Sequence, residues 1–175
     1  MTIHRSDPAY AGDEVSMLRQ FLDYYRATIR RQASGLSDAQ LNQSLAPSDL
    51  TLGGMLRHLT FVEYWWFRYV LASKALQGIW ADVDWDVDPD WDWHSAAGVA
   101  HADLDAALVD AIAESERHLD EALSRGGLDQ PALRTRGEGE TATLRWILVH
   151  MVEEYARHAG HADLIRESID GATDL

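Results

Sequence analysis

From Thr143 to Arg166 the chain sets apolar residues at helical spacing, then puts an acid and a base in the middle of the stripe. Leu144, Ile147, Met151, Ala162 and Ile165 share one face of a helix of period 3.6, with Glu154 and His158 at its centre and His150 and His161 on its edge. Burying a carboxylate and an imidazole in a core is costly unless they pair or bind a metal. Their spacing of four puts both side chains on one side of the helix, one turn apart. Two ligands of one metal ion need this arrangement, and a structural pair can use it equally well. The alternative partners for Glu154 are His158 and Arg157.

Three more segments show the same period. The first helix is expected from about Asp13 to Ala33, with Val15, Leu18, Leu22, Tyr25 and Ile29 on one face and Gly35 after its end. A short turn capped by Ser37 follows. Thr51 is a good N-cap for a second helix running to about Ser73. That helix is apolar almost all round (Leu52, Met55, Leu56, Leu59, Val62, Trp66, Val70), as suits the interior of a bundle. The third is expected from about Asp103 to Ser124, with Leu104, Leu108, Ile112 and Leu119 inward and Gly126-Gly127 as its stop. Thr141 or Thr143 caps the fourth, which ends near Ser168. Four long helices without a convincing strand predict an all-α four-helix bundle in one domain over residues 1–175, with its core from about 13 to 168. Residues before Gly12 read as a loose arm.

Composition narrows the function. A net charge of −14 argues against nucleic acid and anionic membranes as partners. The longest apolar stretch, around Phe61 to Ala72, is too short and interrupted to span a bilayer, and no signal peptide is apparent, so a cytoplasmic protein is expected. With no cysteine there is no disulfide and no protein thiol nucleophile, and any metal site is built from His and carboxylate.

A catalytic metal commonly takes three protein ligands and keeps a position open. His58, in the most buried helix, is the best third ligand, although it sits at the edge of that helix's apolar stripe. Glu63 lies nearer the centre and is a fallback ligand or a partner of one. Two imidazoles and a carboxylate suit zinc, nickel, iron(II) or manganese. His150 could orient Glu154 by hydrogen bonding, and His161 could be a fourth ligand or a proton shuttle. For both, the simpler reading is a partly exposed histidine. Arg157 and Arg166 could hold an anionic substrate or cofactor, against the default of a surface salt bridge. His118, read as exposed on the third helix, is the natural control position.

Between the second and third helices, Trp80 to Trp93 alternates aspartate with aromatic or apolar residues, and four of the seven tryptophans lie here. Aspartate and proline disfavour helix and strand interiors, so an ordered loop is expected. Counted from Asp82, the Gly and Glu that an EF-hand calcium loop requires are Val87 and Trp93, and the match fails. The loop reads as a cover that packs structurally and lines part of a pocket.

His58-Leu-Thr-Phe-Val-Glu63 with Trp65 and Trp66, together with Trp146, His150, Glu154 and His158-Ala-Gly-His-Ala-Asp-Leu-Ile-Arg-Glu167, resembles the DinB-like superfamily, in particular its actinobacterial mini-circle type branch. The resemblance runs from about Asp13 to Glu167. It implies an up-down-down-up four-helix bundle, often a homodimer, and a divalent metal, zinc or nickel first, held by His58, Glu154 and His158. Many members have His where Glu154 stands; the glutamate is similar to mycothiol-dependent maleylpyruvate isomerase. The resemblance further implies a low-molecular-weight thiol cosubstrate of the mycothiol type and an S-transferase or isomerase acting on a small electrophile. A divalent metal favours thiolate over thiol, and a chain without cysteine is compatible with sulfur supplied from outside. Two alternatives stand beside it. One is a metal-dependent hydrolase using activated water with Glu63 or His161 as general base, and the other is a non-enzymatic metal-binding or stress-response bundle.

Overall fold

A computed structural model describes residues 3–135 and 139–173. Its helices are α1 (Glu14–Ala33), α2 (Asp38–Leu41), α3 (Leu52–Glu63), α4 (Trp91–His94), α5 (His101–Gly126) and α6 (Leu144–Asp170), and no strand occurs among the described residues. The termini are where side-chain chemistry places them. Asp13 caps α1 by accepting from Ser16 N at 3.0 Å, Thr51 caps α3 by accepting from Gly54 N at 3.0 Å, and Thr143 caps α6 by accepting from Trp146 N at 3.3 Å. At the C-terminal ends of α5 and α6, Gly127 and Gly171 take φ of 65° and 75°, a region glycine enters without steric cost.

The second long helix departs from expectation. It is α-helical only to Glu63 and continues as a π-helix from Tyr64 to Leu71. The segment between it and α5 carries a 3₁₀ turn at Gly78–Trp80 and the one-turn helix α4, so it is less irregular than its composition suggests. Nor is the N-terminal arm loose over its described part. Arg5 donates to Thr28 Oγ1 at 3.1 Å and lies over the Tyr24 ring, and Ala9 N donates to Gln20 at 2.8 Å. His118 is buried on α5 with Nε2 3.2 Å from Glu114, and so cannot serve as an exposed control.

α1 packs along α6, and α3 with its π-helical extension packs along α5. The core between them holds Leu22, Met55, Leu56, Leu59, Phe67, Leu108, Ile147, Met151 and Tyr155, all without solvent exposure. Burying each such side chain contributes about 1.5–3 kcal/mol, so the bundle is held by this packing and not by its exposed ion pairs. One polar cluster crosses the core. Glu63, fully buried, accepts from Arg26 Nε at 2.8 Å and Nη2 at 2.9 Å, and from the Tyr155 hydroxyl at 2.8 Å. Arg26 also reaches Glu116 at 2.6 Å and Asp23 at 3.1 Å. These contacts tie α1, α3, α5 and α6 together.

Candidate metal centre

His58 projects from α3, and Glu154 and His158 from α6, one turn apart. The three offer ligand atoms that all lie within 4.8 Å of one another. Metal bonds from His nitrogen and carboxylate oxygen are about 2.0–2.2 Å, so two placed end to end reach about 4.4 Å. The cluster therefore needs only a slight closure to share one ion. His158 is 8% exposed, whereas Glu154 and His58 have side chains 19% and 15% exposed. Glu154 thus sits at the margin of the α6 inner face, and Tyr155 occupies its centre.

The electrostatics suit a cation. Burial, followed by the charge of His58, drives the His158 pKa down to about 4, which leaves a neutral imidazole at physiological pH. Its Nδ1 is buried with no hydrogen-bond partner. Glu154 is held below the usual carboxylate range, first by its contact with His58, whose Nε2 approaches Oε1 at 3.9 Å. For His58, burial favours loss of the proton, but the hydrogen bond to Asp92 and the adjacent Glu154 outweigh it and raise the pKa. One neutral imidazole with an unused nitrogen, one imidazole between two carboxylates and one ionised carboxylate make a donor set that fits a divalent ion of the zinc or nickel kind.

The segment after the π-helix closes over this cluster. His58 Nδ1 lies 2.6 Å from Asp92 Oδ2, and the Trp93 ring stacks on the His58 ring at 4.3 Å with an 18° tilt. Trp93 also lies against His158 at 5.4 Å. A cavity of about 760 Å³ adjoins this cover, lined by Ser48, Thr51, Gly54, Asp90, Trp93 and His94. Trp80 is buried against Phe61 and Trp91, and Trp85 packs on Phe61.

The other expected site residues are placed elsewhere or only nearby. Glu63 is committed to Arg26 and Tyr155, so it is neither a fallback ligand nor free to act as a base. His150 stacks on Trp146 and pairs with Glu153 at 3.2 Å in place of orienting Glu154. His161 lies with its ring 5.7 Å from that of His158, outside the three-residue set, and its Nδ1 is buried without a partner. Arg166 is not available to an anion. It donates to the carbonyls of Gln32 at 2.7 Å and Ser34 at 2.8 Å and pairs with Asp170, fastening the end of α1 to α6. Arg157 is exposed, with only a 4.0 Å contact to Glu153.

Asp92 is the residue that sequence reasoning missed. The alternation of aspartate with tryptophan reads as a loop and singles out no one aspartate. The one-turn helix Trp91–His94 replaces the period of two with about 100° per residue and turns Asp92 in.

A family model described as Mycothiol-S-transferase matches residues 17–171. No curated protein matches the chain. Among solved structures, a conserved protein from Enterococcus faecalis is similar at 14% identity with a TM-score of 0.70, over 93% of this chain and 100% of that one. At that identity the likeness shows the fold alone.

Proposed function

This chain belongs to the mycothiol S-transferase family, a DinB-like family, and we propose that it is a divalent-metal-dependent enzyme transferring a low-molecular-weight thiol of the mycothiol type to a small electrophile. The observation that carries this reading is the convergence of His58, Glu154 and His158 from two helices into one cluster with an unpaired buried imidazole nitrogen. These residues would hold zinc or nickel, whose charge favours the ionised form of a thiol.

The residues themselves supply the rest. His158 stays neutral and can donate a lone pair without first losing a proton. Glu154 brings the single negative charge of the set, which tempers the positive charge of the ion. Trp93 stacks over the His58 ring, and shielding such a site from water favours attack by the thiol sulfur over hydrolysis of the electrophile. The sulfur must come from the cosubstrate, since the chain has no cysteine.

The test begins with elemental analysis of tag-free protein that has never met a chelator. About one equivalent of zinc or nickel per chain is expected, lost in His58→Ala and His158→Ala and kept in His4→Ala. Loss of an electrophile should then require both metal and mycothiol. No metal in the isolated protein, with no uptake on adding zinc or nickel, would overturn the reading. Equal turnover with water alone would replace S-transfer by hydrolysis.

A further inference from the structure

We infer that Asp92 is a positioning residue of this metal centre: its carboxylate holds the Nδ1 proton of His58, so that Nε2 keeps its lone pair toward Glu154 and His158. The inference rests on the metal-binding reading above and adds to it a fourth residue, from a part of the chain that supplies no ligand.

Stacking and hydrogen bonding fix different things here. The Trp93 face, 4.3 Å from His58 and tilted by 18°, sets the plane of the imidazole. It does not set which nitrogen faces the cluster, because a half-turn about Cβ–Cγ keeps the ring in its plane while exchanging Nδ1 with Cδ2 and Nε2 with Cε1. Nor does it choose the tautomer. Both choices are made by the 2.6 Å contact from Nδ1 to Asp92 Oδ2. With the proton on Nδ1, the neutral ring presents Nε2 as an acceptor, and Nε2 is the atom that lies 3.9 Å from Glu154 Oε1. A carboxylate behind a histidine fixes orientation and raises ligand basicity in metal sites generally.

Two further observations bear on Asp92. It is 5% exposed, and among the described residues His58 is the hydrogen-bond partner of its side chain. A buried carboxylate with one partner is costly unless that partner carries a proton toward it, so the arrangement needs the Nδ1–H form. One turn before His58, α3 carries glycine at position 54 despite the weak helix propensity of glycine. A Cβ there would lie 3.1 Å from Thr51 Oγ1, the cap of the same helix, 3.2 Å from Trp93 Cε3 and 3.4 Å from the Trp93 carbonyl oxygen. The missing side chain lets α4 come close enough for Asp92 to reach His58.

The experiment compares wild type, Asp92→Asn, His58→Ala and His158→Ala by zinc affinity in chelator competition. It adds long-range proton–nitrogen NMR of the metal-free proteins at a pH above the imidazole range. Asp92→Asn keeps the shape of the side chain but also offers an amide donor, so it no longer enforces Nδ1–H. Wild-type His58 is expected in the Nδ1–H form and Asp92→Asn in a mixture, with zinc affinity weaker by roughly 10- to 100-fold and an unchanged melting profile. Wild-type zinc affinity and tautomer in Asp92→Asn would overturn the positioning role while leaving the metal centre standing. Zinc affinity unchanged in His58→Ala and His158→Ala would overturn the metal centre, and with it the role of Asp92. A merely structural contribution of Asp92 would lower stability without moving the tautomer, and that outcome also overturns the inference.

Discussion

Two of the polar clusters among the described residues, Arg26–Glu63–Tyr155 and His58–Glu154–His158, are built on opposite terms. In the Arg26–Glu63–Tyr155 cluster the charged and hydroxyl groups are matched: both Glu63 oxygens accept from Arg26, the Tyr155 hydroxyl is used, and Glu116 and Asp23 complete the guanidinium. In the His58–Glu154–His158 cluster the groups converge without completing one another. His158 Nδ1 has no partner, and the nearest His58–Glu154 approach is 3.9 Å, too long for a hydrogen bond. A buried polar group left unmade costs about 1–3 kcal/mol, and a ligand at this cluster would remove that cost. The matched groups of the first cluster serve the fold, and the unmatched groups of the second are those we propose to hold the metal.

The sharpest way to break this comparison is to remove Arg26. Arg26→Ala leaves Glu63 charged and buried without its partner, and a loss of about 3–5 kcal/mol is expected in urea unfolding. Replacing Arg26 and Glu63 together by Met should cost less than Arg26→Ala, since no fully buried charge is stranded and only the Tyr155 hydroxyl and the partly exposed Glu116 and Asp23 lose a partner; an equal or larger loss would show that the pair stabilises beyond its matching. His158→Ala is the counterpart. It removes a ring that packs on Trp93 and His58 but whose Nδ1 has no hydrogen-bond partner, so metal-free stability should fall by less than in Arg26→Ala, by about 1–2 kcal/mol, while metal is lost. A stability loss rivalling that of Arg26→Ala would make the histidine cluster structural too.

The smallest effect concerns acid. Burial raises the Glu116 carboxyl pKa, but Arg26 and Arg19 outweigh this and hold it below its ordinary 4.5. A carboxylate depressed in the folded state binds fewer protons than in the unfolded state, so its stabilisation is present above pH 4.5 and lost as pH falls through the folded value. Glu116→Gln should therefore lower stability near neutrality, where the ionised carboxylate contributes, flatten the fall below pH 4.5 and differ little from wild type in acid. An unaltered acid limb would place the acid sensitivity elsewhere, as in the Arg68 and His118 contacts that lower Glu114 despite its burial.

The two clusters were unequally legible. Glu154 and His158 announce themselves by sharing a helix face at a spacing of four, and His58 joins them because its helix is apolar all round and because the motif resembles a known family. Glu63 is visible as an acid in an apolar stripe, but its partners stand 37 and 92 residues away on α1 and α6, and no local spacing reveals which distant side chain will meet it. Arg166 forms the expected salt bridge, to Asp170, and its remaining partners are hidden for the same reason. Charge suggested an anion site, whereas its other contacts are carbonyls at the end of α1. Asp92 was hidden by a regular alternation that one helical turn overrides.

What the sequence determined by itself is whatever depends on period and local chemistry. That comprises four amphipathic or buried helices, their starts near Asp13, at Thr51 and at Thr141 or Thr143, the absence of any thiol, and an acid–base pair one turn apart. What the tertiary structure decided is which buried polar groups are satisfied. That depends on how side chains from different elements meet. Helix packing carried Glu63 to Arg26, and the close approach at Gly54 carried Asp92 to His58. Hydrogen bonds require placement within a few tenths of an ångström, whereas apolar burial requires only a face, so the sequence shows the faces and the fold assigns the partners.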